Sequence, residues 1–205
     1  MEVPVADAVA LDPGPYAGTY KLIGGSPALD FANLVSYRGT AREHDWLRPA
    51  SNVAAWARAA GLEVAADTAD AASLRDLREL LARVFLAVAD GGTPRAADVE
   101  RIGTLAAGAR AGRRLVFAEG APAAHWAGRA PSLLGTLALD AAALLTSAPS
   151  LGRVTACDEC RWVFLDTTRN HSRRWCDPAD CGNRSRQRSH YRRHRGHPVD
   201  PAATG

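Results

Sequence analysis

The sequence lacks the features that define several large classes of protein. No apolar run in its 205 residues approaches the roughly 20 residues that a helix needs to cross a bilayer. The first residues, MEVPVADAVALDPGPYAG, are acidic and interrupted by proline and glycine, which is not the pattern of a secretory signal. We therefore expect a cytoplasmic protein with no membrane partner.

The short motifs of common enzyme classes are also missing. The chain has no glycine-rich phosphate loop, no HExxH metal motif and no nucleophile elbow. His44 and His125 stand apart from each other and from obvious partners, so we interpret them as ordinary structural residues. Asp30 and Asn33, one helical turn apart, fit either a pocket or a bridge between elements, and the bridge is favoured. We predict no catalytic residue and expect a protein that is not an enzyme.

Lysine is almost absent, since Lys21 is its single occurrence, and arginine carries the basic charge instead. That charge is unevenly placed along the chain. Residues 153–197 hold eleven arginines against five acidic residues, whereas the rest of the chain has a net charge of −3. A basic segment beside an acidic body indicates a polyanionic partner for that segment.

Hydrophobic periodicity predicts a mainly helical body over residues 19–150, after a flexible leader over 1–18. Five helices are predicted. The first starts at Ser26-Pro27, the second is capped by Ser51, the third spans 73–92 and the fourth starts at Thr93-Pro94. The fifth spans 132–147 and is ended by Pro149. Short strands are predicted over 19–23 and 113–119. The pattern places Arg78 on a solvent-facing side and Val99 in the core. The predicted fold class is α+β.

Cysteine is scarce, but its four occurrences fall within 25 residues. Two residues separate Cys157 from Cys160, four separate Cys176 from Cys181, and fifteen separate the pairs. Such paired spacing is typical of structural zinc sites, because each pair points two thiolates at one ion. Strand-like WVFLD, not the helix of a redox CxxC, follows Cys160, and four thiolates leave no open position for catalysis. We predict a structural Zn²⁺ held by all four cysteines.

The segments between the cysteines predict a treble-clef plan over residues 153–197. VTAC leads into the first pair, and RWVFLD, TTRNHS and RRWC are expected to form a hairpin after it. The second pair then delivers the chain into a helix that begins near Cys181. Residues 198–205 are expected to form a disordered tail.

The helix after Cys181 is basic on every side and has almost no apolar stripe. A helix of this kind is not held by packing, so it needs an anchor at one end and a second source of stability. Phosphate groups that neutralise its charge are the favoured source, and a solvated, frayed helix is the alternative. Asn183 fits either a helix cap or a nucleic-acid contact. The predicted nucleic-acid contacts are Arg173, Arg174, Asn183, Arg184, Arg186, Arg188, Arg192, Arg193 and Arg195.

These motifs resemble a known pair of families. WVFLD, TTRNHSRRWC and CGNR with its basic helix are similar to the CGNR zinc finger, and GGSPALDFANLVSYRG with the body to residue 150 is similar to the ABATE domain. The resemblance implies a stress-induced transcriptional regulator whose finger binds DNA and whose body senses a signal. It also implies zinc ligands at the four cysteines. Family members often have glycine where this chain has Arg161.

The sequence therefore predicts a DNA-binding transcriptional regulator with Zn²⁺ as its cofactor and double-stranded DNA as its partner. A small-molecule effector and a homodimer are further partners that the sequence leaves open. Two alternatives stay open as well. The finger can bind single-stranded RNA by stacking bases on its aromatic side chains, or the body can be an enzyme for which the finger is a tether or an oligomerisation element.

Overall fold

The structure, a computed structural model, describes residues 7–62 and 70–195, with side chains as far as Tyr191. Its helices are α1 (Pro27–Ala32), α2 (Ser51–Ala59), α3 (Ala71–Ala89), α4 (Ala96–Arg110), α5 (Leu133–Thr146), α6 (Ala148–Leu151) and α7 (Cys181–Arg195). Its strands are β1 (Ala8–Val9), β2 (Tyr20–Lys21), β3 (Val35–Ser36), β4 (His44–Asp45), β5 (Arg114–Val116), β6 (His125–Ala127), β7 (Val154–Ala156) and β8 (Val163–Leu165). Consecutive strands pair as four antiparallel ribbons, which confirms the α+β class. The first part of the predicted leader and the whole predicted tail lie outside the described residues.

The predicted body helices all form, but several ends differ from the expectation. Ser51 is the first residue of α2 and not its cap, because the N-cap position belongs to Ala50. Helix α4 begins at Ala96, two residues beyond the predicted Thr93-Pro94 start. Pro149 lies in the first turn of α6, after α5 has already ended at Thr146. Each error is one of boundary, where local signals are weakest.

Helix α3 lies at the centre of the body and contributes the largest block of core side chains. Its buried apolar residues are Leu74, Leu77, Leu80, Leu81, Ala82, Val84 and Phe85. The Asp70 side chain caps the helix by accepting from the backbone N–H groups of Ala72 and Ser73. Helix α1 packs against α3, and α4 packs along α5. None of the helices in the described ranges is long and apolar enough to cross a membrane.

Two predicted side-chain orientations in the body are wrong. Arg78 is buried, with its guanidinium bonded to the Asp45 carboxylate and the Leu34 carbonyl, because an ion pair lets a charged group enter the core. Val99 is exposed on α4. The preceding residue, Asp98, takes the buried place because Arg83 and Arg95 both bind its carboxylate.

Asp30 is a buried carboxyl group in the first turn of α1. Its Oδ1 accepts the backbone N–H of Gly24 at 2.7 Å, and the Tyr20 hydroxyl donates to its backbone carbonyl. Burial raises the pKa of the Asp30 carboxyl to about 7, and hydrogen bonds from the Gly24 and Ile23 backbone offset only part of that effect. The folded protein therefore favours protonated Asp30 over a wide pH range in which the unfolded chain is ionised.

This shift predicts a pH dependence of stability that an Asp30→Asn substitution removes. Because the pKa is raised on folding, the contribution of Asp30 to stability is present below pH ~4 and is lost as the pH rises to about 7. The wild type should lose up to about 4 kcal/mol relative to the variant over that range. Urea unfolding at a series of pH values measures the difference, with exposed Asp76→Asn as the matched control. Parallel profiles for the wild type and Asp30→Asn would contradict the assignment.

Candidate metal centre and nucleic-acid interface

The first cysteine pair lies in the turn of the β7–β8 hairpin. Cys157 follows β7 directly, and its N–H bonds to the carbonyl of Trp162 at 2.8 Å while its own carbonyl accepts the N–H of Arg161. Arg161 has φ 64°, the left-handed conformation that favours glycine. This conformation gives a physical reason for the glycine that family members often carry at this place.

The predicted hairpin after the first pair is wrong in its partner. Strand β8 pairs backwards with β7, in the register Thr155 opposite Phe164. The returning segment 173–176 forms no strand. It contacts the turn of residues 157–162, here called the knuckle, through one backbone hydrogen bond from the Asp158 N–H to the Arg174 carbonyl, 3.1 Å long. The composition of RWVFLD predicts a strand correctly, but a short strand with two candidate partners does not specify which one it pairs with.

The four cysteine sulfurs converge on one point. All four residues are buried, and their Sγ atoms lie within 4.8 Å of one another. The Cys160 and Cys176 sulfurs are 3.5 Å apart, and the Cys176 and Cys181 sulfurs are 3.6 Å apart. Four sulfurs at ~2.3 Å from a central ion have edges of about 3.8 Å. The donor set and its dimensions therefore fit a tetrahedral metal ion.

Without an ion, the electrostatics of the cluster disfavour four thiolates at once. Hydrogen bonding to the Cys157 sulfur, burial and the negative charge of nearby thiolates raise the pKa values of Cys160 and Cys176. Hydrogen bonds from the other three thiols lower the pKa of Cys157. The isolated cluster thus favours few negative charges, whereas a bound divalent ion would stabilise all four thiolates.

The second cysteine pair starts helix α7. Asp177, next to Cys176, turns the chain: its carboxylate accepts the N–H of Ala179, and its carbonyl accepts the N–H of Gly182 at 3.1 Å. Cys181 is the first residue of α7, and Gly182 lies against the Trp175 ring, where a Cβ atom would be 3.5 Å from the nearest ring carbon. The metal cluster and the helix are therefore parts of one turn.

The body holds strand β8 through a paired amide. The Asn33 side chain donates to the Val163 carbonyl and accepts the Val163 N–H, both at 2.8 Å and both buried. The bridging interpretation of Asn33 is thus confirmed. The N–H of Leu165 bonds to the Gly24 carbonyl at 2.9 Å, and the Trp162 indole donates to the Val35 carbonyl at 3.0 Å. Apolar residues of the body and of the finger pack in one hydrophobic core.

Three further polar contacts, between side chains, join body and finger around this core. Lys21 binds Asp177 at 2.6 Å, Arg161 binds Asp90, and the Arg184 guanidinium binds the Tyr37 hydroxyl. Tyr37 takes the left-handed conformation, with φ 52°, and also carries the Arg42 guanidinium over its ring at 3.9 Å. The contacts of Lys21 and Tyr37 with the finger were not predicted from the sequence, because neither residue belongs to a local pattern.

The cysteines and several predicted nucleic-acid residues lie together at this end of the molecule, but three of the arginines bind backbone carbonyls or buried side chains. Arg173 donates to the carbonyls of Trp175 and Cys176 and lies over the Phe164 ring. Arg184 binds Tyr37 and Asp180, and Arg188 binds the carboxylate of Glu159, which is 2% exposed. These three side chains anchor the knuckle, α7 and the body to one another.

The other predicted contacts lie outward. Arg186 and Asn183 are exposed on the first turns of α7 and bond to each other, and the Asn183 amide donates to the Ala179 carbonyl at 2.6 Å instead of accepting a cap bond. Arg174 is exposed and forms an ion pair with the exposed Asp158 carboxylate at 2.7 Å. The predicted contacts Arg192, Arg193 and Arg195 lie in the last turn of α7, beyond the described side chains.

Four convergent thiols, a knuckle between two strands and a helix that begins at the last thiol define the class of zinc-finger proteins. A scan against family models matches residues 25–148 to ABATE, described as "Putative stress-induced transcription regulator", and residues 153–194 to the CGNR zinc finger. The first match covers more than half of the chain, so the chain belongs to the ABATE family and carries a CGNR zinc finger. No curated protein matches the chain.

The paired amide predicts that Asn33→Ala destabilises the protein strongly. The substitution leaves both polar backbone groups of Val163 buried without partners, which costs about 2–4 kcal/mol. Urea unfolding at constant metal concentration measures the loss. Asn170→Ala, at an exposed loop amide of the finger, is the matched control and should change stability by less than about 0.5 kcal/mol. Equal effects of the two substitutions would show that Asn33 does not join body and finger.

Proposed function

We propose that this chain is a zinc-dependent, cytoplasmic transcription regulator that binds duplex DNA through its finger. The observation that carries the proposal is that four buried thiols converge and that the last of them, Cys181, is the first residue of the arginine-rich helix α7. Cys157, Cys160, Cys176 and Cys181 hold Zn²⁺, which is structural because four protein ligands complete its tetrahedron. The family description supports a regulatory role, and the DNA contact is our inference.

The arginines of the finger divide between two tasks in this proposal. Arg173, Arg184 and Arg188 position the helix, because they bind backbone carbonyls, the Tyr37 hydroxyl of the body and the buried Glu159 carboxylate. The side-chain partners of Arg174 and Arg186, in contrast, are the exposed Asp158 and Asn183. Phosphate and base contacts then come from the exposed group and the end of the helix: Arg174, Asn183, Arg186, Arg192, Arg193 and Arg195. Each phosphate contact releases counterions, so binding should weaken steeply with salt.

The body completes the proposal as the regulatory part. Because Asn33 of the body bonds directly to Val163 of the finger, an effector that displaces α1 would move the finger with it. A single finger buries only about 600–1,000 Å² of protein surface on DNA. We therefore extend the proposal to a homodimer, which doubles that area on two half-sites.

Metal binding is tested by the composition of purified protein. The wild type should contain one equivalent of zinc by mass spectrometry under native conditions, and Cys176→Ser should lose it, because three thiolates bind the ion less tightly. His171→Ala is the matched control, since this exposed residue can ligate a metal but lies outside the cluster. The visible spectrum of the cobalt-substituted wild type should show tetrahedral thiolate ligation. Zinc retained by Cys176→Ser, or an octahedral cobalt spectrum, would contradict the site.

DNA binding is tested by titration of labelled duplex at several salt concentrations. Arg186→Gln should make the log–log salt slope shallower by about 0.9, since one phosphate contact is lost. Arg101→Gln on α4 removes the same charge from an exposed position of the body and should leave the slope unchanged. Salt-independent binding, or the same effect of both substitutions, would overturn the proposal. Preference for single-stranded RNA in competition with duplex DNA would favour the RNA alternative.

A further inference from the structure

The β5–β6 ribbon exposes a group of large apolar side chains. In the described part of the chain, the large hydrophobic residues that stand exposed are Val99, Leu115, Phe117, Trp126 and Tyr191. Three of them belong to this ribbon, where Leu115 is 61%, Phe117 67% and Trp126 39% exposed. Leu115 lies opposite Trp126 in the strand register, so these two side chains share one face, and Phe117 directly follows β5. The ribbon and the residue after β5 thus present large apolar side chains to solvent.

The ribbon also lacks a third strand. A two-stranded ribbon is marginally stable by itself, and each of its strands has an unpaired edge. In the described residues β5 pairs with β6 alone. An apolar face together with open edges is a combination that a binding partner stabilises.

A separate groove lies between the end of α4 and the start of α5. Its free volume is about 480 Å³, and small residues line most of it: Gly108, Ala109, Ala111, Ala130, Pro131, Ser132 and Gly135. Gly135 is needed there, because a Cβ atom would lie 2.8 Å from the Ala109 side chain. Such a volume accepts several side chains of a partner.

The charge around this surface is positive. Residues 110–129 contain Arg110, Arg113, Arg114 and Arg129 against the single acid Glu119, whereas the chain outside the finger has a net charge of −3. The Arg110 guanidinium lies 5.3 Å from the centre of the Trp126 ring, and Arg113 donates to the Trp126 carbonyl. The N-terminus of α5, at Ser132, opens at the same groove and adds its positive dipole end.

This surface lies at the C-terminal end of α4, whereas the contact between α3 and the finger lies nearer the N-terminal end of α4. The C-terminal end of α3 carries Asp90, which binds Arg161 of the knuckle. Helix α4 starts near that point, where Asp98 binds Arg83 of α3, and runs about 22 Å to Arg110. We therefore expect DNA seated on α7 to leave the ribbon uncovered.

We propose that the β5–β6 ribbon and the α4–α5 groove form a docking surface for an acidic, amphipathic segment of another protein. Its apolar side chains would cover Leu115, Phe117 and Trp126, and its carboxylates would meet the surrounding arginines. A second copy of this chain fits less well, because the same four arginines would face one another across a twofold axis. The surface is independent of the metal site and of DNA binding.

A synthetic peptide in which glutamate alternates with leucine and phenylalanine serves as the probe. Fluorescence anisotropy with the full-length, zinc-loaded protein should show saturable binding, and saturating duplex DNA should leave it unchanged. The Leu115→Ser/Phe117→Ser variant should bind the probe at least about tenfold more weakly, as loss of interface anchors does. Arg114→Glu should weaken binding to a similar degree by reversing one charge of the rim.

Val99→Ser is the matched control, because Val99 is an exposed apolar residue at the other end of α4. It should bind the probe like the wild type, and circular dichroism should show every variant folded. Three results would overturn the proposal: no saturable binding, equal binding of a peptide with lysine in place of glutamate, or an equal effect of Val99→Ser. A dimer in sedimentation that Leu115→Ser/Phe117→Ser abolishes would assign the surface to a second copy instead.

Discussion

The paired amide between Asn33 and the backbone of Val163 is the contact on which the arrangement of this molecule depends. Strand β8, which contains Val163, pairs with β7 and closes the turn that holds Cys157 and Cys160. The same strand bonds to Gly24 through Leu165 and places Phe164 in the core. The Asn33 side chain supplies one donor and one acceptor to the Val163 backbone, in the place that a second neighbouring strand of β8 would take. The finger is thereby built onto the body instead of being appended to it.

This connection gives the basic helix a fixed origin. Small metal modules normally rely on the ion for most of their stability. Here the thiol cluster shares a hydrophobic core with the body, and Arg184 and Arg188 fasten α7 to Tyr37 and Glu159. The direction in which α7 leaves the molecule is therefore set by body residues as well as by the metal centre. A regulator built this way can change its helix geometry through changes in the body.

The sequence predicted the elements of this structure better than the contacts between them. Cysteine spacing located the cluster, and periodicity located the helices, because both signals are local. The partner of β8, the burial of Arg78 and the anchoring of Arg184 depend on residues far away along the chain, so no local pattern carried them. Arginines that look alike in the sequence differ in role because their partners, such as Tyr37 and Glu159, are brought near only by the fold.

Hydrogen exchange with and without a metal chelator tests the shared core most directly. We expect metal removal to deprotect the Val163 and Leu165 amides and, through Asn33, the amides of α1, in the same cooperative step. Helix α4, which packs mainly against α5, should keep its protection longer. Loss of protection confined to residues after 153, with α1 unchanged, would show instead that finger and body fold as separate units.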